Sequence, residues 1–379
     1  MKRLILVLLS FCCLLSGCSI FRQKNYVSVT PHQEQSVDSS AESASVSNYS
    51  QLEKVFSDLV EDGTEQALLS VANYDQTVLE SHLKKVIRDL LTYHPIGAYA
   101  VDEINYELGT NAGQSAISVQ ISYIHDRSEI RQIRHAADME RACVLIKAAL
   151  DSCDAGIVIR IDSYDELDFT QMVEDYVDAF PEKIIERPEV SVGIYPNNKL
   201  DDKIVELKFT YQTSRDKLRS MQTHVKNIFD SAVLYVTGDA EDWQKFAQLY
   251  SFLMERYDYQ IETSITPAYS LLRHGVGDSK AFAVVYSAMC RLSGLDCQVV
   301  SGTREGETWY WNIVKDGERY YHVDLLRCME QGGFHEQTDG EMSGYVWDYS
   351  AFPACTDDPV EETQPEDTTA GTTEQTDAP

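Results

Sequence analysis

Nine cysteines and nine histidines are the chain's readiest nucleophiles, metal ligands and near-neutral bases. Their spacing excludes most of that chemistry. Cys12 and Cys13 lie inside an N-terminal apolar run that Cys18 closes, which leaves Cys143, Cys153, Cys290, Cys297, Cys328 and Cys355 with no CxxC among them. A cysteine zinc site or a thioredoxin-like pair therefore has no support. Cys328 with Cys355 and Cys143 with Cys153 are candidate disulfides, and six free thiols fit the sequence as well. His82, His94, His125, His135 and His224 show no metal-ligand spacing and read as surface or satisfied histidines. There is no GxGxxG, phosphate loop, HExxH or EF-hand loop, so no cofactor or metal is expected. The acidic runs Asp162 to Glu166 and Asp201-Asp202 read as solvated faces.

The elements that carry these residues begin with a charge imbalance. With 32 basic and 61 acidic residues the formal charge is −29, which argues against nucleic-acid binding through phosphate neutralisation. The 43% hydrophobic content still supports folded domains. Residues 356–379 hold acids from Asp357 to Asp377 and no base, an acidic Thr-rich tail expected to be disordered. At the other end, Lys2 and Arg3 precede the apolar run Leu4 to Leu15, which suits a signal peptide and is too short to span a bilayer. Leu15-Ser16-Gly17-Cys18 resembles the lipobox of bacterial lipoproteins. That resemblance implies removal of residues 1–17 and lipidation of Cys18, and hence attachment to the outer face of a bacterial cytoplasmic membrane. Residues 18–63 then comprise the lipidated Cys, a Ser-rich tether through residue 50, and a short helix.

Residues 64–152 and 153–238 share a hydrophobic pattern. Ala67 to Asp75 matches Ile157 to Asp165 at an offset of 90, each a mostly apolar strand ending in a polar turn. The helical stripe Leu79, Leu83, Val86, Ile87 and Leu90 falls on Phe169, Val173, Tyr176, Val177 and Phe180 at the same offset. Strand residues Ile117, Val119 and Ile121 fall on Val205, Leu207 and Phe209 at an offset of 88. A preceding strand near Glu103 and near Glu189, and a following helix from Ser128 and from Ser214, complete two β-α-β-β-α units expected to pack together about a pseudo-twofold.

Residues 239–355 read differently. Acidic residues from Asp239 to Asp242 open a helix through Trp243, Phe246, Leu249, Tyr250 and Leu253. A second helix carries the stripe Ala281, Val285, Ala288 and Leu292 and ends at Gly294. Strands follow at Cys297 to Gly302, Thr308 to Val314 and Arg319 to Leu325. Gly275, Phe282-Ala283, Ser293-Gly294-Leu295, Val299 to Gly302, Trp311-Asn312-Ile313-Val314, Asp316-Gly317 and Tyr321-His322-Val323-Asp324 stand in order. Together with Tyr345, Trp347, Asp348, Pro353 and Cys355 they resemble the transglutaminase-like domain of bacterial surface proteins, a papain-like cysteine-enzyme fold. The fold class expected for the whole chain is α+β: two repeated units followed by this domain.

The resemblance puts the family's nucleophilic cysteine at Ser279 and its histidine at Trp309. Only the third triad member, Asp324, is present. A helix N-terminus and a neighbouring imidazolium both favour a thiolate, so a Cys–His pair yields a strong nucleophile near neutral pH. A serine hydroxyl needs a base to remove its proton, and the indole of Trp309 is a donor with no basic nitrogen. The degenerate triad positions Ser279, Trp309 and Asp324 thus point to a binding or scaffolding module for peptide, protein or cell-wall partners. The alternative is a hydrolase using Ser279 with a relocated base, His322, His274 or His335. Strand alternation puts Trp309, Trp311 and Ile313 on one face and Tyr310, Asn312 and Val314 on the other. If the family geometry holds, Trp309 partly fills the old cleft, and Asp324 is free to accept a hydrogen bond from Trp309 Nε1.

Overall fold

The computed structural model describes residues 44–261 and 266–356. Cys18, the leader 1–17 and residues 357–379 of the acidic tail lie outside the described residues. Order begins earlier than the serine content suggests. Val46 is 0% exposed, and Ser45 pairs beside Ser70 on the margin of the first sheet. The backbone bonds Val46 N to Ser70 O (2.8 Å) and Ser70 N to Ala44 O (3.0 Å) satisfy that strand edge, so a tether reaching residue 50 is corrected.

Asn48 caps α1 (Tyr49–Glu61) by accepting from Gln51 N at 3.0 Å. Then come β1 (Gln66–Ser70), α2 (Gln76–Tyr93), α3 (Pro95–Ala100), β2 (Val101–Asn111) and β3 (Gln114–Tyr123). They form an antiparallel sheet of order β1-β3-β2 over a core that includes the expected Leu79, Leu83, Val86 and Leu90. The helix expected from Ser128 is broken into α4 (Arg127–Ile130), the strand β4 (Arg134–Asp138) and α5 (Met139–Asp151). Asp138 explains the restart, because its carboxylate accepts from Arg141 N at 2.8 Å and caps α5.

The second unit is β5 (Gly156–Ser163), α6 (Phe169–Ala179), β6 (Glu189–Tyr195), β7 (Lys203–Thr210) and α7 (Arg215–Tyr235). Its sheet runs β4-β5-β7-β6, with β7 antiparallel to both neighbours and β4 parallel to β5. Ala67 stands opposite Val119, and Ile157 opposite Leu207. Tyr106 stands opposite Val119, and Val192 opposite Leu207.

The remaining elements are α8 (Asp242–Met254), β8 (Asp258–Tyr259), α9 (Pro267–His274), β9 (Val276–Gly277), α10 (Ser279–Leu292), β10 (Cys297–Arg304), β11 (Glu307–Asp316), β12 (Arg319–Val323), α11 (Leu325–Gln331) and β13 (Tyr345–Trp347). The sheet β12-β11-β10-β13 is antiparallel. β12 stops before the expected Leu325 because Asp324 turns the chain into α11, its carboxylate accepting from Leu326 N and Arg327 N. One face of the sheet joins a core in which Phe282, Val285 and Met289 of α10 meet Val225 and Phe229 of α7. The other face covers a smaller cluster around Val300, Trp311, Ile313 and Trp347. Ion pairs tie the parts together: Glu61–Arg160–Asp202 (3.1 and 2.8 Å), Lys280–Asp178 (2.6 Å) and Arg291–Glu182 (2.9 Å). Among the described residues no helix is long and apolar enough to cross a membrane.

Candidate active cleft

Ser279 is the first residue of α10, following Asp278, whose side chain caps the helix by accepting from Ala281 N at 2.9 Å. Gly277 just before it is needed for close approach. A Cβ there would stand 2.9 Å from Ala281 Cβ and 3.1 Å from Leu271 Cβ. Ser279 is 7% exposed, and its hydroxyl accepts a long bond from Tyr310 N at 3.4 Å. Among the described residues no imidazole hydrogen-bonds to it. Ser279 sits at the helix N-terminus, the position the resemblance implies for a nucleophile.

Trp309 lies half-buried on β11 against both clusters. Its Nε1 donates to Asp324 Oδ2 at 2.9 Å, the bond expected if the family geometry holds. Three further donors reach the same carboxylate: Tyr345 Oη at 2.6 Å on Oδ2, and Leu326 N (3.0 Å) and Arg327 N (3.3 Å) on Oδ1. Arg304 Nη1 approaches Oδ2 to 3.7 Å. Burial, and then the Asp324 carboxylate, push the Tyr345 phenol well above its ordinary pKa, so Tyr345 keeps its proton and donates it. Asp324 is 1% exposed, and its oxygens are fully engaged in holding Trp309, Tyr345 and the start of α11. Above Trp309 stand the Arg304 guanidinium, 5.2 Å from the ring centroid, and the Tyr259 ring at 5.7 Å.

None of the three histidines considered as a relocated base hydrogen-bonds to Ser279 among the described residues. Ile313 of β11 stands opposite His322 of β12, so both side chains share the face that covers Trp311 and Trp347. Asn312 and Val314 alternate to the other face, where Asn312 Nδ2 donates to Ala283 O of α10 at 2.9 Å. The sheet therefore lies between His322 and Ser279. His274 packs edge-on to Tyr269, and the backbone of His335 bonds the Cys328 thiol; neither histidine hydrogen-bonds to Ser279.

His322 belongs to a buried chain that sequence reasoning missed. Trp311 Nε1 donates to its Nδ1 at 2.9 Å, and its Nε2 lies 2.8 Å from Asp339 Oδ1. Because Nδ1 accepts, the proton resides on Nε2 and is donated to Asp339. Burial lowers the His322 pKa, opposed by Asp339. Gly302 makes room for this arrangement, since a Cβ there would meet the Trp311 ring at 2.7 Å.

Cys355 completes a group in which one ligand atom each from His322, Asp339 and Cys355 lies within 4.8 Å of the others. A nitrogen, oxygen and sulfur set is zinc chemistry in principle. The surroundings do not fit a cation. Metal on Nε2 would force the proton onto Nδ1, where it would face the Trp311 N–H donor. Burial, with Asp339 adding to it, also pushes the Cys355 thiol up to about 12, away from the thiolate a metal needs.

All six described cysteines are free thiols, so neither candidate disulfide is formed. The single histidines are satisfied locally: His82 by Tyr74 Oη (2.9 Å), His94 as the cap of Gly97 N (3.2 Å) and His135 by Asp162 (2.8 Å).

Residues 231–347 match the family model of the transglutaminase-like superfamily, a range that starts inside α7. Among solved structures, a TGase is 11% identical with a TM-score of 0.26, covering 61% of this chain and 70% of that one. A proposed cysteine protease from Cytophaga hutchinsonii is 13% identical with a TM-score of 0.25, covering 42% of this chain and 70% of that one. A proposed protease from Parabacteroides distasonis is 9% identical with a TM-score of 0.23, covering 58% of this chain and 35% of that one. Overlaps this partial carry no weight beyond the family match. No curated protein matches the chain. The chain thus holds a transglutaminase-like domain within a mixed α/β structure.

Proposed function

From a transglutaminase-like domain with Ser279 and Trp309 at the nucleophile and base positions, we propose a module that binds a peptide, protein or cell-wall partner without turning it over. The observation that carries the reading is the engagement of Asp324: Trp309, Tyr345 and two backbone N–H groups occupy the carboxylate that would orient a base. Loss of nucleophile and base together leaves little acyl-transfer rate to measure. The rim of Trp309, Tyr259 and Arg304 offers flat aromatic surface beside a cation, which suits polypeptide or sugar contacts.

The test has two arms. A serine-directed fluorophosphonate should leave Ser279 unlabelled; labelling that vanishes in Ser279→Ala would establish the hydrolase instead. Immobilised chain should retain an envelope peptide, glycan or protein, and retention should fall in Trp309→Ala. Retention of nothing would leave only a scaffold role.

The same proposal places the chain on the outer face of a bacterial cytoplasmic membrane, held by lipid on Cys18. Incorporation of labelled palmitate that is lost in Cys18→Ser is the expected result. We also read the two α/β units as copies of one ancestor. The shared order β1-β3-β2 and β5-β7-β6, and the matching registers of β1 with β3 and β5 with β7, support that reading, although the second sheet adds the parallel edge strand β4.

A further inference from the structure

The two α/β units meet across the back of the second sheet, where Val158 and Ile204 enter the core of the first unit. Beyond this contact a cavity of about 840 Å³ opens between them. That volume falls within the roughly 300–1,000 Å³ of small-ligand sites, which favour such interfaces. One wall is rigid: the His125 ring stacks on Tyr99 with centroids 4.2 Å apart and planes 6° from parallel.

Both signs of charge line the cavity, and pairing decides which is left over. Asp154 is taken by Arg215 at 2.5 Å and Glu206 by Lys208 at 3.1 Å. Glu129 has no Lys or Arg partner among the described residues; its carboxylate accepts from Asp126 N at 2.8 Å in the capping box of α4, with His125 at 3.7 Å, so one acid stands against two arginines. The carbonyl of Ser152, at the end of α5, accepts from Arg215 Nε at 3.1 Å and Arg219 Nη2 at 3.4 Å. Arg131 and Arg134 also line the cavity, and among the described residues neither guanidinium has an acidic partner. The net charge of −29 does not cancel them, because at physiological ionic strength exposed charges beyond about 8 Å are largely screened.

We infer that the cavity between the two α/β units binds a small molecule bearing an oxyanion, phosphate or carboxylate, held by Arg131 and Arg134. Guanidinium groups present paired N–H donors that match both anions, and the aromatic wall bounds the body of the ligand. The site is separate from the old cleft and does not depend on what that cleft binds.

The test is calorimetric titration of the full chain with inorganic phosphate and, separately, with succinate. Saturable binding of either is expected, weakened tenfold or more in Arg131→Gln/Arg134→Gln and unchanged in Arg273→Gln, a distant exposed arginine. Response to phosphate alone assigns the site to a phosphoryl group, and response to succinate alone to a carboxylate. A second measurement needs no variant: the bound anion should protect Arg131 and Arg134 from phenylglyoxal, read by mass spectrometry. No binding of either anion up to roughly a thousandfold excess over protein, or binding without protection of these two arginines, overturns the inference.

Discussion

Asp324 is a buried carboxylate whose oxygens accept from Trp309, from Tyr345 and from the first backbone N–H groups of α11. An imidazole would use the carboxylate as an orienting acceptor, whereas the indole of Trp309 uses it as a fixed anchor at 2.9 Å. Trp309→Phe removes that donor from a buried acceptor and should cost about 1.5–3 kcal/mol of stability, the range for hydrogen bonds to charged groups. Urea denaturation measures it, and a loss below about 0.5 kcal/mol would mean the bond contributes little. His322 offers a spectroscopic counterpart. Its depressed pKa means the folded state resists protonation, so this group's contribution to stability is present above the unfolded value and lost as pH falls below it. Trp311→Phe removes the donor facing Nδ1 and should move the His322 titration upward, as followed by imidazole NMR. An unmoved titration would show that burial and Asp339 set it without the Trp311 donor.

At the scale of elements, a buried carboxylate marks the loop after α11. Glu336 Oε1 is buried with no hydrogen-bond partner among the described residues, and burial with nearby Asp316 pushes its pKa from 4.5 up to about 7. The folded state therefore binds this proton more tightly than the unfolded chain. Its stabilising contribution is full below about 4.5 and is lost as pH rises through about 7. Glu336→Gln should flatten melting temperature against pH across that window and melt above the parent at pH 8, whereas parallel curves would refute the assignment. What the sequence shows at this scale follows from periodicity. Helix α10 and strands β10 and β11 have apolar stripes and are legible, and the Trp309–Asp324 pair is legible through the family resemblance that places both ends. β4 is not, since Arg134-His135-Ala136-Ala137-Asp138 is mostly polar and gains its partner only when β5 arrives in parallel. The His322–Asp339 contact is invisible too. Asp339 sits in a single short turn with no period, and only tertiary packing of the segment through Cys355 delivers it.

For the whole molecule, the question is whether the transglutaminase-like domain stands alone. The match beginning at residue 231 starts inside α7, a helix that belongs by sequence pattern to the second α/β unit. The packing explains why. Val225, Phe229 and Ala232 of α7 share one core with Phe246 and Leu249 of α8 and with Phe282, Val285 and Met289 of α10, and Cys153 and Ile185 of the second unit enter the same cluster. Arg291–Glu182 and Lys280–Asp178 close the seam, but such partly exposed pairs contribute at most about 1 kcal/mol each, so the shared apolar core dominates. Unfolding one side would strip the other of its cover, and the second unit and the domain should therefore melt together. Phe229 is 0% exposed, and Phe229→Ala should cost about 3–5 kcal/mol through the cavity it leaves. In scanning calorimetry that loss should move the joint transition of the second unit and the domain as a whole. A variant in which the domain's transition stays in place while the second unit melts early would show two independent cores where the packing makes one.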